Sequence, residues 1–372
     1  MKHPKITSLL CALALCVMLI SCSSGDKSAL PIPIDAGVVL NVDLESLSKK
    51  MSWNDIRSSE WFKSKMNSSS DSFMRKVMEN PESTGIDLKD DVAFFTKQIN
   101  STESYFGLTG HLKDASAFEE FVTKASETNA KPTKEGDINY LTLPNEGIVS
   151  WNNNKFLVVG AQSSRISYMM DDSTAVPNAG STDPKAYAKR LLTTKGDSLI
   201  GSDARYTNML KDEADAHIWS NAEASTGAVL GSGMLSMLKL EKYLEGTVST
   251  STVNFENGKI VMNAKTYTND EMMAIFKKYA GNKINTSMVE RLPSTDVAAV
   301  LVANYKPDML KDLLKLGGLD GLVNGYLGEM GLTLDEVLSA SKGDMMFAVT
   351  DFKIQVRTNM DDEMKPVATQ TP

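Results

Sequence analysis

The sequence predicts an α+β fold: a largely antiparallel sheet with helices packed on one face, internally duplicated, with an incomplete second copy. Short connections between neighbouring apolar runs favour antiparallel pairing, because parallel strands need a longer crossover. Asn257-Gly258, between the alternating runs STVNFE and KIVMNAKTY, is the strongest hairpin signal in the chain. Two pairs of similar segments, found in the same order, indicate the duplication.

The first pair of similar segments is LPIPIDAGVVLNVDLESL at 30–47 and LPSTDVAAVLVANYKPDML at 292–310. The second pair is TGIDLKDDVAFFT at 84–96 and MGLTLDEVLSASKGDMMFAVT at 330–350. The period is longer than the roughly 20–50 residues of a solenoid repeat, so it predicts a duplicated α+β unit. We expect the strands at 292–303 and 344–352 to pair, like the corresponding strands of the first copy.

The first copy begins with a short valine-rich run at 37–42, which predicts a buried strand. A helix is predicted over 52–66 with Ser52 as its N-cap, and a second over 71–79 that ends before Pro81. The runs VAFFT and SYFGLTG then predict two paired strands.

The middle of the first copy has the clearest helical spacing. In DASAFEEFVTKA, Phe118, Phe121 and Val122 lie on one helix face. Three strand runs follow, INYLTL, GIVSW and KFLVVG. The three asparagines at 152–154 predict a hairpin between the last two, since asparagine tolerates positive φ.

The remaining elements alternate between helices and strands. Helices are predicted at 184–193, 203–213, 227–244, 269–280, 284–291, 308–316 and 318–330, and strands at 215–220 and 344–352. The end of the chain, RTNMDDEMKPVATQTP, has no apolar period and carries two prolines, which predicts disorder.

The N-terminus predicts export and lipid attachment. Lys2 and Lys5 precede an uncharged apolar run, which is typical of a secretory signal and is shorter than the roughly 20 residues of a membrane-spanning helix. Leu19-Ile20-Ser21-Cys22 resembles the bacterial lipobox, in which the cysteine receives a diacylglycerol and the chain is cut before it. The alternative is an ordinary signal peptide in which Cys22 is incidental.

These observations give five predicted segments. They are a lipoprotein signal peptide (1–21), a tether (22–29), the first α+β repeat (30–290), a partial second repeat (291–352) and a disordered tail (353–372). The three cysteines all lie at or before position 22, so no disulfide is expected in the mature chain. The net charge of −8 is spread along the sequence, which disfavours nucleic acid and anionic lipid as partners.

No motif for metal or cofactor chemistry is present. The chain lacks HExxH, paired cysteines, calcium loops and phosphate loops, and His111 and His217 are expected to be structural, although the spacing of Asp215 and His217 permits a ligand pair. G-x-S-x-G is also absent. The S-x-x-K pattern occurs at Ser24, Ser46, Ser236 and Ser339 without its companion motifs, so no catalytic residue is predicted.

Several stretches together point to a known family. The lipobox, LPIPIDAGVVLNVDLESL, EWFKSKM, DASAFEEF and GIVSWNNNKFLVVG resemble envelope lipoproteins of the domain-of-unknown-function 4836 family of Bacteroides-type bacteria, over most of 30–352. The resemblance implies the fold and an envelope location, but no activity. The resemblance also implies that complete members run longer, and the second copy lacks a counterpart to 105–160. We therefore expect a shortened member, or an open strand edge completed by a partner or by the first copy.

The predicted function is that of a membrane-anchored envelope lipoprotein, a non-catalytic binding or scaffold protein with Cys22 as its lipidation site. Its expected partners are the membrane, through the lipid, and an unknown envelope protein or glycan. The outer membrane is the expected location, on either its periplasmic face or the cell surface. The alternative is a glycan hydrolase that uses dispersed carboxylates, which requires a cleft with two of them about 5–10 Å apart.

Overall fold

The computed structural model divides the chain into two compact units between Thr268 and Asn269. The predicted signal peptide, most of the tether and most of the helix predicted at 71–79 lie outside the described residues. The described residues are 29–60, 62–63, 77, 79–98, 103–126, 128, 130–144, 147–163, 183–230, 241–280, 283–293, 295–351, 355–360 and 366–371.

The first unit contains a ten-stranded sheet in which every pairing of neighbouring strands is antiparallel, which confirms the predicted sheet type. In chain order the strands are β1 (Val38–Val42), β2 (Val92–Gln98), β3 (Glu103–His111), β4 (Thr133–Glu135), β5 (Ile138–Thr142), β6 (Ile148–Trp151), β7 (Lys155–Ser163), β8 (Ala216–Asn221), β9 (Val248–Glu256) and β10 (Lys259–Tyr267). Their order across the sheet is β10-β9-β8-β1-β2-β3-β7-β6-β5-β4.

The helices of the first unit are mostly short, and 3-10 turns lie at Pro81–Thr84 and Ile200–Ser202. The helices are α1 (Leu44–Lys50), α2 (Trp53–Ser58), α3 (Ala115–Ala125), α4 (Pro184–Thr193), α5 (Ala204–Met209), α6 (Ala222–Leu230) and α7 (Glu241–Leu244). The predicted apolar helix at 227–244 corresponds to the end of α6 and to α7, and 231–240 lie outside the described residues.

The sheet is covered on both faces. Along β2, Val92 and Phe94 contact one core, and Ala93 and Phe95 contact the other. Helices α1, α2 and α3 pack on the first face and α4 and α5 on the second. The prediction of helices on one face is therefore wrong, and the uninterrupted apolar run VAFFT is typical of a strand buried on both sides.

Serines interrupt the helix predicted over 52–66. Ser52 is its N-cap as predicted, and a capping box joins it to Asp55. The helix α2 ends at Ser58, where the hydroxyls of Ser58 and Ser59 donate to the carbonyls of Asp55 and Ile56. Such local bonds compete with the helical ladder, which accounts for the early end.

The most strongly patterned elements of the first copy are confirmed. Phe118, Phe121 and Val122 of α3 are buried in the first core. The β6–β7 hairpin forms at the three asparagines, although none of them adopts a positive φ. Instead, the Asn152 side-chain oxygen accepts hydrogen bonds of 2.9 Å from the amides of Asn154 and Lys155. The asparagine thus stabilises the turn through its side chain.

The second unit contains the predicted strand pair. Its elements are α8 (Asp270–Tyr279), a 3-10 turn (Thr286–Arg291), β11 (Val297–Asn304), α9 (Pro307–Leu316), α10 (Asp320–Glu329), α11 (Leu334–Ser339) and β12 (Asp344–Thr350). Strands β11 and β12 pair antiparallel, as β1 and β2 do in the first unit, which confirms the predicted pairing. The duplication itself stays a prediction, since such pairs also arise in unrelated α+β folds.

Helix α8 belongs to the second unit, although it precedes the predicted repeat boundary at 290/291. Lys278 and Tyr279 of α8 contact the Asp312 carboxylate of α9 at 2.6 and 2.9 Å, respectively. These contacts join α8 to α9 within the second unit.

The last described strands correct the prediction of a disordered tail. Residues Gln355–Met360 (β13) and Pro366–Thr371 (β14) form an antiparallel pair. Both segments contain valine and threonine, which favour extended backbone. Among the described strands, β12 pairs with β11 alone. An open outer edge of β12, completed by a partner or by the first copy, stays a prediction.

Candidate functional site

A polar cleft lies at one side of the first unit, between α5 and the β9–β10 hairpin. Its volume is about 300 Å³. The residues that line it are Asn208, Met209, Asp212, Thr250, Ser251, Thr252, Asn263, Ala264, Lys265 and Tyr267. We call this site the polar cleft.

The floor of the polar cleft consists of rows of side chains that cross neighbouring strands. Residues directly opposite each other in an antiparallel sheet have side chains on the same face. Thr252 is opposite both His217 and Asn263, and Thr250 is opposite both Trp219 and Lys265. The second core thus continues outward into a surface of hydroxyl, amide and ammonium groups.

The wall of the polar cleft is α5, which is fixed at its start by Asp203. The side chain of this N-cap accepts a 2.8 Å hydrogen bond from the Arg205 amide. It also forms a 2.8 Å ion pair with the Arg205 guanidinium. The hydrogen bond from the Arg205 side chain lowers the Asp203 pKa. One residue further, the Tyr206 hydroxyl donates to the Asn41 side-chain oxygen at 2.8 Å, which holds α5 against β1.

The charged groups of the polar cleft are Lys265 and Asp212. The Lys265 ammonium lies 4.7 Å from the centre of the Tyr267 ring, and hydrogen bonding to Tyr267 raises the Lys265 pKa. Asp212 contributes an exposed carboxylate, and its backbone carbonyl oxygen lies 2.8 Å from Nε2 of His217. The remaining polar lining is neutral, so the site offers many hydrogen-bonding groups and little net charge.

Two buried polar atoms lie beside the floor, in the same cross-strand row as Thr252. His217 Nδ1 and Asn41 Nδ2 have no hydrogen-bond partner among the described residues, and the two residues are opposite each other in β8 and β1. With Nε2 donating to the Asp212 carbonyl, Nδ1 of a neutral His217 is an acceptor. His111 has a different role, because its Nδ1 lies 2.9 Å from the Asp90 carboxylate. Both histidines therefore have structural contacts.

The carboxylate of Asp215 is buried and is held by structural bonds. It accepts hydrogen bonds from the Ser46 hydroxyl at 2.7 Å, the Lys50 ammonium at 2.6 Å and the Phe255 amide at 2.6 Å. These bonds join α1 to β8 and β9. The Asp215 carboxylate is thus occupied and is not part of the lining of the polar cleft.

The sites weighed from the sequence do not come together. Cys22, Ser24, Ser236 and Trp61 lie outside the described residues. Ser46 donates to Asp215, and Ser339 donates to the Glu336 carbonyl. Trp53, Trp151 and Trp219 are all buried, which leaves none of these three exposed for stacking on a glycan.

Sequence reasoning missed the polar cleft. The available signal was the alternation of polar residues in the hairpin, Thr250 and Thr252 on one strand and Asn263, Lys265 and Tyr267 on the other. Among the described residues there is no cluster of three or more metal-ligating side chains. No helix in that part of the chain is long and apolar enough to cross a membrane.

Comparisons with known proteins identify a family but no activity. No curated protein matches the sequence. A solved structure, crystal form IV of TP0453, is similar at 13% identity and a TM-score of 0.33, over 68% of this chain and 87% of that chain. The model of a domain of unknown function, DUF4836, matches residues 30–356. The chain therefore belongs to the DUF4836 family.

Proposed function

We propose that this protein is a lipid-anchored protein of the cell envelope that binds a small, hydroxyl-rich ligand in the polar cleft, without catalysing its reaction. The observation that carries the binding role is the lining of the cleft, which combines amides, hydroxyls and one aromatic ring with a single cation and a single carboxylate. The anchoring role rests on the lipobox-like segment that ends at Cys22.

The chemistry of the lining favours a saccharide. Asn208 and Asn263 present amides and Thr252 presents a hydroxyl, and these groups pair with sugar hydroxyl groups as both donors and acceptors. A volume of about 300 Å³ is at the small end of ligand sites and suits the end of a glycan chain. Lys265, the one cation of the lining, is the group that would pair with a carboxylate on the sugar.

Binding is favoured over hydrolysis because the polar cleft contains one carboxylate. Glycoside hydrolases that work with paired acids place two carboxyl groups about 5–10 Å apart across the scissile bond. In the polar cleft, Asp212 supplies a carboxylate, and Asp215 is bound by Ser46, Lys50 and the Phe255 amide.

Loss of polar groups from the floor is expected to weaken ligand binding. Thr252→Val keeps the shape of the side chain and removes its hydroxyl, and Asn263→Ala removes an exposed amide. Each lost hydrogen bond is worth about 1 kcal/mol, or about a fivefold rise in Kd for the bound saccharide. Titration calorimetry with uronic-acid oligosaccharides measures the Kd of each variant. Asn139→Ala on the distant strand β5 is the control, and equal affinity in all four proteins would contradict the cleft as the binding site.

Loss of Cys22 is expected to release the protein from the membrane. Two or more acyl chains give stable anchoring, and Cys22→Ala removes the atom that carries the diacylglycerol. Radiolabelled palmitate should enter the wild type but not the variant, and the variant should fractionate as soluble. Equal labelling of the two proteins would refute the anchor. Protease treatment of intact cells that express the wild type then distinguishes surface display from the periplasmic face.

A further inference from the structure

The β9–β10 hairpin has an apolar face opposite the polar cleft. Phe255 and Ile260 are opposite each other in the hairpin, and Met262 is two residues from Ile260, so the three side chains share one face. Their exposed fractions are 45%, 66% and 57%. We call these three residues the hairpin patch. Single exposed apolar residues are ordinary, but a contiguous exposed group near the end of a hairpin indicates an interaction surface.

Neighbouring residues hold the hairpin patch in place. The Phe255 amide donates to Asp215, and the same carboxylate accepts from Lys50, the residue before the 46% exposed Met51. The last pair of the hairpin, Glu256 and Lys259, is joined by a 2.9 Å ion pair. The exposed apolar residues therefore lie on an ordered, internally bonded element.

The predicted tether leaves the fold at the same end of the strands as the hairpin patch, but on the other face of the sheet, where Leu30 packs against the second core. One row of opposite residues runs through Met262, Val253, Ala216, Val42, Val92, Gly110 and Phe156. Phe255 and Ile260 lie just beyond it on the hairpin, and Lys155 lies just beyond it on β7 in the same direction. The Lys155 ammonium donates to the carbonyl of Ala29, the first described residue, at 2.6 Å. Strand spacing puts roughly 30 Å between β7 and β10.

The length of the tether limits how far the fold can move from the lipid. Cys22 and Ala29 are seven positions apart, so a fully extended tether separates them by at most about 25 Å. The twist of the sheet turns the hairpin relative to β7. The tether alone does not fix the orientation of the first unit on the membrane, so that orientation depends on which surface of the unit binds the bilayer. The hairpin patch lies close enough to Ala29 for its tip to reach the same bilayer.

We propose that the hairpin patch inserts into the interfacial region of the membrane to which Cys22 anchors the chain, so that the lipid and the hairpin together orient the first unit. This inference rests on the proposed lipid anchor. Phenylalanine, isoleucine and methionine gain free energy on leaving water for the acyl boundary. Thr252, Asn263 and Lys265 are on the opposite face of the hairpin, so the polar cleft is not part of the inserted surface.

A fluorescent probe at the patch tests the proposal. The full lipidated chain with Ile260→Cys is labelled with an environment-sensitive dye and reconstituted into phosphatidylcholine vesicles. Val261→Cys is the matched control, since it is the next residue and its side chain is on the opposite face. We expect iodide to quench the probe at position 260 several-fold less than the probe at 261. Both positions are at least partly exposed, so neither label requires the core to repack.

Flotation of the same vesicles separates the inference from the proposed anchor. Protein that floats with the vesicles while iodide quenches both probes equally overturns the insertion and leaves the anchor intact. Protein that does not float overturns the anchor and, with it, the insertion. Shielding of position 260 in the soluble Cys22→Ala form without vesicles would show that another protein surface covers the patch, which also overturns the inference.

Discussion

Gly85→Ala is expected to destabilise the first unit by about 2–6 kcal/mol, because the substitution combines backbone strain with a clash. Gly85 has a φ of +76°, in the left-handed region that side chains disfavour. An added Cβ would lie 2.1 Å from the Asp114 carbonyl oxygen and 2.6 Å from the Phe118 nitrogen. Both atoms are backbone atoms at the start of α3, so neither can turn away.

The same glycine holds the start of α3 in position. Its carbonyl accepts hydrogen bonds from the amides of Lys113 and Asp114 at 2.9 and 3.0 Å. Gly136→Ala is the control, since Gly136 has a φ of +61° and nothing within 4 Å of an added Cβ. Urea unfolding of both variants separates the clash from the strain. Equal losses in the free energy of unfolding would contradict the close approach of Gly85 to α3.

Asp215→Ala is expected to cost about 3 kcal/mol of unfolding free energy, since it leaves a hydroxyl and a buried amide without their charged acceptor. The Asp215 side chain is 0% exposed, whereas that of Lys50 is 40% exposed. Lys50→Met should therefore cost about 1 kcal/mol, because its ammonium is largely screened by water. If Lys50→Met lowers the unfolding free energy as much as Asp215→Ala does, the ion pair accounts for most of the stabilisation by Asp215, and this prediction is wrong.

The dependence of stability on pH gives a second measure of the same bonds. Burial by itself raises the Asp215 pKa, but the hydrogen bonds from Lys50, Ser46 and Phe255 outweigh it and hold the pKa below its usual value. The carboxylate therefore contributes stability above its unfolded pKa of about 4, and the contribution disappears as pH falls through the folded pKa. Asp215→Asn should flatten this acid limb of the unfolding free energy.

The fold could be predicted where one short segment contains the whole signal. The spacing of Phe118, Phe121 and Val122 is enough for α3, and Asn257-Gly258 is enough for the β9–β10 hairpin. The covering of both sheet faces was missed because it depends on where α4 and α5 return after long excursions. Helix α2 was predicted too long because serine hydroxyls compete for its backbone carbonyls.

The polar cleft could be predicted only in part for the same reason. The hairpin fixes Thr252 opposite Asn263 and Thr250 opposite Lys265, and this register follows from the turn. The rest of the site requires β8 to lie beside β9 and α5 to pack above it, and no local pattern specifies that order. The structural role of Asp215 also depends on segments far apart in the sequence, since Ser46, Lys50 and Phe255 meet only in the folded sheet.

The most direct test of a binding protein is what happens to its ligand. The full lipidated chain is incubated with acidic envelope glycan fragments, and mass spectrometry follows both the bound and the free fragments. We expect fragments of unchanged length to be retained by the wild type and lost from Asn263→Ala. Shortened fragments produced by the wild type and absent with Asp212→Asn would contradict the account and assign a hydrolase.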